Sequence, residues 1–326
     1  MIKKALITGG AGFIGFHLSK YLLKKGYKVH LIDNYMRGKR DKDFLKLIKE
    51  KNVKFFKIDL LKKKQLARLD RTYSLIFHFA AIVGVKNVIK KPYQVLEENV
   101  LILNNIIKFA STQKKLKRFC FTSSSEVYAV SARNNLVKHP VDEKVILAMK
   151  DLGDPRDTYL LSKIFGEAMC RHSGLPLLIF RPHNIYGPRM GMSHVIPELL
   201  KKTHFIKNNK LNLFSPNHTR TFCFIDDAIK IIFKLATNKK TLNKTYNVGN
   251  QNGEIKIKNL AKLILKTLNK DNKIKFLRDT VGSPKRRKPD MKKTNSLVSI
   301  KKKTSLEEGV LLTYNWYKDF FKLNFS

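Results

Sequence analysis

Tyr159 and Lys163 are the two residues whose types and spacing most directly suggest acid–base chemistry. They lie four positions apart in a segment with a helical pattern, so both side chains share one face of a helix. An ammonium beside a phenol stabilises the phenolate and lowers the pKa of the phenol, which makes Tyr159 a usable proton acceptor near neutral pH. The same spacing is common on amphipathic helices without a catalytic role, so the pair gains meaning only from its surroundings.

A run of hydroxyl residues at 122–125, followed by Glu126, supplies such surroundings. The run continues directly from a predicted strand, 118–121. Doubly wound sheets bind their ligands at the carboxyl ends of the strands. We therefore expect these hydroxyl groups at a ligand-binding edge.

A glycine-rich turn follows the first apolar run of the chain and opens a helical pattern. Gly9 allows a tight turn, Gly12 allows backbone N–H groups to approach a pyrophosphate, and Gly15 allows the helix to pack closely on the sheet. About 20 residues further on, the second strand ends in Asp33, whose carboxylate would accept hydrogen bonds from a ribose 2′-hydroxyl. These features predict a dinucleotide site that favours NAD, because a carboxylate at Asp33 repels a 2′-phosphate.

The elements that must position these residues alternate along the first half of the chain. β-rich runs centred near Ala5, Val29, Val53, Leu75 and Phe119, with a sixth at 176–180, are separated by helical patterns. This alternation is typical of an α/β fold with a doubly wound parallel (Rossmann) sheet, here with a smaller interleaved C-terminal substrate lobe. The predicted NAD-binding domain is 1–180, with 221–250 returning to it, and the predicted substrate-binding lobe is 181–220 and 251–326.

Composition sets the class of protein. A chain of 326 residues with 43% hydrophobic content can bury a full core. No apolar run approaches the roughly 20 residues of a membrane span, and the N-terminus leads straight into the first strand without a signal-peptide pattern. The three cysteines are scattered, with neither disulfide nor metal-ligand spacing. We expect a cytoplasmic protein without a structural metal.

The formal charge of +41 raises the question of a polyanionic partner. The excess is mostly lysine, spread in short groups along the whole chain, without a basic tail or an interleaved aromatic motif. This distribution favours a solvated surface. We expect no specific nucleic-acid partner and only weak adhesion to polyanions.

Taken together, the chain resembles the extended short-chain dehydrogenase/reductase superfamily, in particular its NAD-dependent nucleotide-sugar epimerases, dehydratases and decarboxylases. The resemblance covers essentially the whole chain. The motifs that carry it are the glycine turn, Asp33, Asp59-Leu60, His78-Phe79-Ala80-Ala81, the serine run, Tyr159 with Lys163, 181–189, 219–222 with Asp226-Asp227, 246–249 and 286–290. So many motifs in one order are specific for the superfamily and much less specific for the reaction.

The resemblance implies roles for individual residues. Tyr159 would remove the proton of the sugar 4-hydroxyl while hydride passes from C4 to NAD, and Lys163 would tune Tyr159 and hold the nicotinamide ribose. Ser124 matches the hydroxyl that bonds the substrate oxygen, its other interpretation being a plain serine at a strand end. The implied cofactor residues are Gly9, Gly12, Phe13, Ile14, Gly15, Asp33, Asn34, Asp59, Leu60, Ala80, Ala81, Tyr159 and Lys163. The implied substrate-binding residues are Asn184, Arg220, Arg287 and Asp290, and we expect a homodimer.

Glu126 bears most on the type of reaction. Dehydratases of this kind often carry an acidic pair at this strand end, whereas Ser125 precedes Glu126 here. A Ser-Glu arrangement also looks like the sugar-acid decarboxylases and one branch of the 4,6-dehydratases. Glu126 is either a general base or a structural acid held by hydrogen bonds. Because the second carboxylate is missing, we predict an epimerase, with a 4,6-dehydratase or a sugar-acid decarboxylase as the alternative.

A function of another class is a noncatalytic regulator that senses nucleotides and binds polyanions through its lysines. Such proteins typically lose the tyrosine and lysine pair, and this chain keeps Ser124, Tyr159 and Lys163 together. The sequence therefore favours the enzyme.

Overall fold

The computed structural model describes residues 3–149, 152–207 and 210–325, which divide by their contacts into two units. Unit 1 consists of Met1–Val127, Met149–Pro182 and Ile229–Tyr246. Unit 2 consists of Tyr128–Ala148, His183–Ala228 and Asn247–Ser326. The chain therefore passes between the units several times, and neither unit is one continuous stretch.

The described part of the chain forms fourteen strands and eleven α-helices, with short 3₁₀ turns at Lys63–Arg68, Ser125–Tyr128 and Lys239–Thr241. The strands are β1 (Lys4–Thr8), β2 (Lys28–Asp33), β3 (Val53–Lys57), β4 (Leu75–His78), β5 (Arg118–Thr122), β6 (Leu177–Pro182), β7 (Ile185–Tyr186), β8 (Leu211–Leu213), β9 (Thr219–Arg220), β10 (Cys223–Phe224), β11 (Lys244–Val248), β12 (Ile255–Lys256), β13 (Ile274–Phe276) and β14 (Arg286–Arg287). The helices are α1 (Phe13–Lys24), α2 (Lys42–Leu47), α3 (Val85–Lys90), α4 (Pro92–Ser111), α5 (Ala129–Arg133), α6 (Asp157–Arg171), α7 (Val195–Phe205), α8 (Ile225–Thr237), α9 (Ile257–Thr267), α10 (Lys292–Asn295) and α11 (Leu306–Phe325).

A seven-stranded sheet with the order β11-β6-β5-β4-β1-β2-β3 organises unit 1. The pairs from β1 to β6 are parallel, as the alternation of strands and helices predicts. The strand order runs outward in both directions from β1, with β2 on one side of it and β4 on the other. This reversal defines a doubly wound sheet, and it confirms the predicted fold class.

Helices α4 and α6 cover one face of this sheet. Alternate strand residues, which point to one face, pack against them: Leu6, Ile32, Ile76, Phe119, Phe121 and Ile179. Ile102, Leu103 and Ile106 of α4 meet them at helical spacing. Pro92 occupies the first turn of α4, where its missing N–H costs no hydrogen bond. On α1, Tyr21 packs edge-to-face against Phe233 of α8, 5.2 Å between ring centroids.

Unit 2 contains three small sheets. Strand β9 lies between β12, which is antiparallel to it, and β14, which is parallel to it. At the start of α11, the Glu308 N–H donates to Ser305 Oγ at 3.1 Å, which is one of the two bonds of a capping box. The helix extends to Phe325 and buries Tyr317 and Phe321.

The observed boundaries of the two units differ from the predicted domains at 128–148. This segment belongs to unit 2 because its hydrogen bonds are there: the Val141 N–H donates to the Lys288 carbonyl, and the Asp290 N–H donates to the Val141 carbonyl. Of the segment 221–250, which was expected to return to the first domain, only 229–246 lies in unit 1. The assignment of cofactor binding to one unit and substrate binding to the other stays a prediction.

Candidate active site

Tyr159 and Lys163 lie on the first two turns of α6, in unit 1. Lys163 Nζ donates to the carbonyl oxygen of Thr122 at 2.9 Å, so the ammonium is fixed at the carboxyl end of β5. It lies 5.7 Å from the centroid of the Tyr159 ring and 5.1 Å from that of Phe121. The predicted sharing of one helix face is confirmed by this placement.

The pKa of Tyr159 corrects one expectation. Its pKa is raised to about 12, mainly by burial and in smaller part by the charge of Glu126, whereas a hydrogen bond from Ser124 and the charge of Arg37 act in the opposite direction. The sequence predicted a lowered pKa from the neighbouring ammonium. That ammonium instead bonds the Thr122 carbonyl, and removal of the phenol from water dominates.

Burial also changes the pKa of Lys163. It lowers the pKa of the ammonium to about 8, while Cys170 and Glu167 act weakly in the opposite direction. His78, at the end of β4, is affected by the same cation: burial and then Lys163 lower its pKa to about 3. His78 is therefore a neutral imidazole, and its Nδ1 lies 2.8 Å from the hydroxyl of Thr8.

Ser124 and Glu126 stand beside the tyrosine, where the 3₁₀ turn follows β5. Ser124 Oγ accepts a hydrogen bond from the Glu126 N–H at 3.1 Å and forms the side-chain bond to Tyr159. The charge of Glu126 acts on the phenol of Tyr159. The structure therefore brings all four predicted catalytic residues together within unit 1.

Asn99 of α4 is a site residue that the sequence reasoning missed. This buried amide donates to the Ile82 carbonyl at 3.0 Å and accepts from the Ile82 N–H at 2.8 Å, which fixes the loop after β4. It also donates to Ser162 Oγ at 3.3 Å, and Ser162 in turn bonds the Tyr159 carbonyl at 2.7 Å. The signal available in the sequence was an amide among the apolar residues of 95–106.

A buried ion pair one turn beyond Lys163 was also missed. Arg181 of β6 holds Glu167 of α6 with two bonds, Nε to Oε1 at 2.8 Å and Nη2 to Oε2 at 2.7 Å. The two side chains are only 4% and 5% exposed. The pair fixes α6 on β6 in a bidentate geometry, so it sets the position of the helix that carries Tyr159 and Lys163.

The glycine turn has the geometry that a pyrophosphate requires. Gly9 has a φ of +70°, and a Cβ there would lie 2.9 Å from the Ala80 nitrogen. A Cβ at Gly15 would clash with the carbonyl of Gly9. The absence of a side chain at Gly15 therefore lets the glycine turn pack directly against α1. No side chain caps α1, and its first turn carries no acidic residue. The N-terminus of α1 can therefore receive an anion.

Asp33 is fixed by backbone donors at the end of β2. Its Oδ2 accepts from the Ala11 N–H at 3.0 Å and its Oδ1 accepts from the Tyr35 N–H at 2.8 Å. These bonds join the carboxylate to the glycine turn and to the following loop. Arg37 in that loop, which the sequence reasoning did not place at the site, is close enough to Tyr159 to affect its pKa.

The remaining predicted cofactor residues lie just after the carboxyl ends of β2, β3 and β4 or in the first turn of α1. Asn34 Oδ1 accepts from the Met36 N–H at 2.9 Å, and Asp59 Oδ1 accepts from the Leu61 N–H at 3.1 Å. The Ala80 N–H donates to Thr8 Oγ1 at 3.2 Å. Phe13, Ile14 and Ala81 are half-buried and Leu60 is buried. The uncapped helix, the glycine turn and the fixed carboxylate together fit a dinucleotide without a 2′-phosphate.

All four predicted substrate residues lie in unit 2. Asn184 has a φ of +41° and donates from Nδ2 to the Thr221 carbonyl at 2.9 Å. Asp290 Oδ1 accepts from the Lys292 N–H at 2.7 Å. Arg287 is half-buried at the end of β14, in register with Arg220 of β9. Arg220 was predicted to bind the substrate. Both of its Nη atoms donate hydrogen bonds to protein acceptors.

Among the residues that the structure describes, no group of three or more His, Cys, Asp or Glu side chains could hold a metal ion. None of the described helices is long and apolar enough to cross a membrane.

Comparisons with known proteins agree with this geometry. Residues 5–249 match the model of the NAD dependent epimerase/dehydratase family. A UDP-N-acetyl-alpha-D-glucosaminuronate decarboxylase of Bacillus cytotoxicus is 30% identical, covering 98% of this chain and 99% of that protein. A UDP-glucuronic acid decarboxylase 1 of Xenopus tropicalis is 28% identical, covering 97% of this chain and 72% of that protein.

One solved structure at similar identity includes both a substrate and a cofactor. It is the UDP-glucuronic acid 4-epimerase of Bacillus cereus in complex with UDP-glucuronic acid and NAD. It aligns with a TM-score of 0.83 at 26% identity, over 97% of this chain and 99% of that chain.

Proposed function

Because the chain belongs to the NAD-dependent epimerase/dehydratase family, we propose that it oxidises a nucleotide-linked hexuronic acid at C4 and removes the sugar carboxylate as carbon dioxide. The family consists of NAD-dependent enzymes that act on nucleotide sugars. Two relatives named above are decarboxylases of UDP-linked uronic acids, and the solved 4-epimerase holds a UDP-linked uronic acid. A UDP-linked uronic acid is the substrate common to all three.

The observation that carries the proposal is the position of Glu126. It lies close enough to Tyr159 to raise the pKa of the phenol, and Ser125 stands where an acidic pair would have its second carboxylate. A single carboxylate beside the proposed catalytic base supports chemistry at C5 and argues against those 4,6-dehydratases that eliminate water with an acidic pair. It favours the decarboxylase over our prediction of a simple epimerase, which has no need of an acid at this position.

Oxidation at C4 makes the loss of carbon dioxide easy. The C6 carboxylate is then beta to a ketone, so the electron pair of the C5–C6 bond moves into an enolate as carbon dioxide leaves. The enolate takes a proton at C5. Hydride returned to C4 completes the cycle, so the reaction needs no net oxidant.

Different residues of unit 1 carry out these steps. Tyr159 must be ionised for this step: its phenolate accepts the proton of the 4-hydroxyl and the resulting phenol returns it at the end, while Ser124 bonds the same oxygen. Lys163, held by the Thr122 carbonyl, places a positive charge beside the phenol. Glu126, after taking a proton from water, provides the proton that C5 takes up once the carboxylate has left.

NAD, when bound, supplies the hydride acceptor and returns the hydride. The residues that would hold it are the glycine turn and first turn of α1 for the pyrophosphate and Asp33 for the adenosine ribose. Asn34, Asp59, Leu60, Ala80 and Ala81 would line the same strand ends. In unit 2, we assign the nucleotide of the substrate to Asn184, Arg287 and Asp290, where a guanidinium suits a diphosphate.

The second candidate is a 4-epimerase of the same substrate, favoured by the likeness to the solved UDP-glucuronic acid 4-epimerase. The 4,6-dehydratases with an acidic pair have less support because Ser125 stands in place of the second carboxylate. The noncatalytic polyanion-binding regulator has less support because the four predicted catalytic residues lie together. A homodimer and a cytoplasmic location stay predictions, and light scattering of the purified protein tests the first.

The test is the mass of the product made from each of four substrates. Two are acids, UDP-glucuronic acid and UDP-N-acetylglucosaminuronic acid, and two are their neutral counterparts, UDP-glucose and UDP-N-acetylglucosamine. Decarboxylation predicts loss of carbon dioxide from the two acids and no product from the neutral sugars. An unchanged mass with inverted C4 supports the epimerase, and loss of water supports a dehydratase. Either result contradicts the proposal.

A further inference from the structure

The side chain of Asn247, near the end of β11, has every donor and acceptor in use. Nδ2 donates to the Val141 carbonyl at 3.0 Å and to the Asp290 carbonyl at 3.2 Å. Oδ1 accepts from the Tyr128 hydroxyl at 2.9 Å, and it lies 3.0 Å from His183 Nε2. An amide has two N–H groups and two lone pairs on its oxygen, so these four partners use its full capacity. Asn247 is completely buried.

These partners fix the orientation of the amide and the position of one proton on His183. Because Nδ2 faces two carbonyl groups, turning the amide over would set oxygen against oxygen. Oδ1 has no proton to give, so His183 Nε2 carries the hydrogen of the bond between them. The imidazole also stacks on the Tyr128 ring, with 5.7 Å between the ring centroids and 27° between the planes. One buried amide therefore orients two aromatic side chains.

The backbone of Asn247 joins the same network. Its N–H donates to Glu143 Oε1 at 2.7 Å, and its carbonyl accepts from the hydroxyl of Thr294, which is completely buried, at 2.7 Å. All of these partners belong to unit 2, and each is more than forty residues from Asn247 along the chain. Asn247 thus joins three separate stretches of unit 2, which are 128–143, 183 and 290–294.

Two of these stretches carry residues that we assign to the substrate. Asp290 is itself a partner, since its carbonyl accepts from Asn247 and its N–H donates to the Val141 carbonyl at 2.8 Å. The same Val141 carbonyl accepts from Asn247, so the three residues form a closed set of bonds. Asn184 directly follows His183, so its backbone continues from a residue that bonds Asn247.

We infer that Asn247 is a positioning residue of unit 2, which holds the stretches that carry Asn184 and Asp290 in one fixed arrangement for a nucleotide ligand. A buried polar network in which every member is satisfied makes its surroundings rigid and specifies a single arrangement. Asn247 cannot touch a ligand itself, because no part of it is exposed. The part of the inference that concerns the nucleotide rests on the proposed function, and the part that concerns the three stretches does not.

Hydrogen exchange of the full-length protein without added ligand tests the arrangement. Asn247→Leu removes the amide with little change in volume, and we expect faster amide exchange in 139–143, 183–184 and 288–291. Tyr128→Phe removes one hydroxyl, is expected to have a smaller effect in the same stretches, and serves if Asn247→Leu fails to fold. Asn259→Leu is the matched control, since Asn259 is an exposed asparagine of the same unit. Unchanged exchange in a folded Asn247→Leu, or in Tyr128→Phe, would overturn the inference.

Titration with UDP and steady-state kinetics then distinguish positioning from a general loss of stability. We expect Asn247→Leu and His183→Leu to weaken UDP binding and raise KM by about tenfold, with little change in kcat or in NAD affinity. His183→Gln keeps an N–H that can reach Oδ1 and should recover most of the UDP affinity. Tyr314→Phe is the control: it removes a hydroxyl that lies 3.0 Å from another histidine of the same unit, His204, and it should bind UDP as the wild type does.

Wild-type UDP affinity in Asn247→Leu, or equal affinities in His183→Leu and His183→Gln, would contradict the positioning role. Failure of the proposed function appears separately, as a wild-type protein that does not bind UDP or as an unexpected mass of the product. The exchange measurement decides the arrangement of the three stretches in either case.

Discussion

The Lys163 ammonium lies 5.7 Å from the centre of the Tyr159 ring, while its hydrogen bond goes to the Thr122 carbonyl. The lysine is therefore attached to the end of β5 rather than to the phenol oxygen. The phenol bonds Ser124. In the proposed mechanism, proton transfer falls to Tyr159, and the lysine is held at the end of β5.

Tyr159→Phe removes one proton acceptor and leaves the packing of α6 nearly unchanged. We expect turnover to fall by about 10²–10⁴-fold, the usual contribution of a positioned general base, while NAD binding is retained. Steady-state assays and fluorescence titration with NAD measure the two effects. Tyr93→Phe is the control, because Tyr93 is 74% exposed at the start of α4, and it should keep wild-type turnover. Wild-type turnover in Tyr159→Phe would remove the tyrosine from the mechanism.

Glu126→Gln separates the two halves of the proposed reaction. The amide cannot deliver a proton to C5, whereas oxidation at C4 depends on Tyr159 and should persist. We expect reduced cofactor to accumulate on mixing with UDP-glucuronic acid, with slow formation of the final product. Stopped-flow absorbance of the reduced cofactor measures this. Glu97→Gln, an exposed change on α4, is the control. If Glu126→Gln forms product at the wild-type rate, Glu126 is a structural acid only.

The lowered pKa of Lys163 makes a prediction about stability against pH. Burial brings the pKa from 10.5 to about 8, so between these values the unfolded chain binds more protons at this position than the folded chain does. This group therefore contributes stability that rises as pH increases through that range. Burial raises the pKa of the three cysteines, and their contribution falls as pH rises past 9.

The difference in the free energy of unfolding between wild type and Lys163→Met separates the contribution of the lysine from that of the cysteines, which both proteins share. We expect the free energy of unfolding of the wild type, minus that of the variant, to increase from pH 8 to pH 10. Urea titrations at several pH values in a reducing buffer provide the measurement. Parallel stability curves for the two proteins would show that Lys163 keeps its ordinary pKa.

Glu167→Gln should destabilise the fold strongly, because it leaves Arg181 buried with a broken bidentate partner. The expected loss is about 3–5 kcal/mol, measured by urea unfolding. Glu198→Gln is the matched control: Glu198 pairs with Lys202 at 2.6 Å but is 51% exposed, and such a pair contributes about 0.5 kcal/mol or less. Equal effects of the two substitutions would mean that burial adds nothing to the Arg181 pair.

Much of the candidate site could be predicted from short motifs in the sequence. Strand β5 ends at Thr122, and the parallel topology brings Ser124 and Glu126 to the sheet edge, so their meeting with Tyr159 was predictable. The pKa of Tyr159 was not predictable, because desolvation depends on everything packed around the phenol. The bonds of Arg220 lie beyond sequence reasoning for the same reason, since its partners in 283–285 meet it only in the folded chain.

The fate of the substrate carboxylate tests the central claim most directly. UDP-glucuronic acid labelled with carbon-13 at C6 is incubated with the enzyme and NAD, and the label is followed by NMR in the sugar and in dissolved carbonate. The account predicts that the label leaves the sugar and appears as carbon dioxide and bicarbonate, in step with a UDP-pentose product. Label retained in a UDP-hexuronic acid with inverted C4 would contradict it and establish an epimerase.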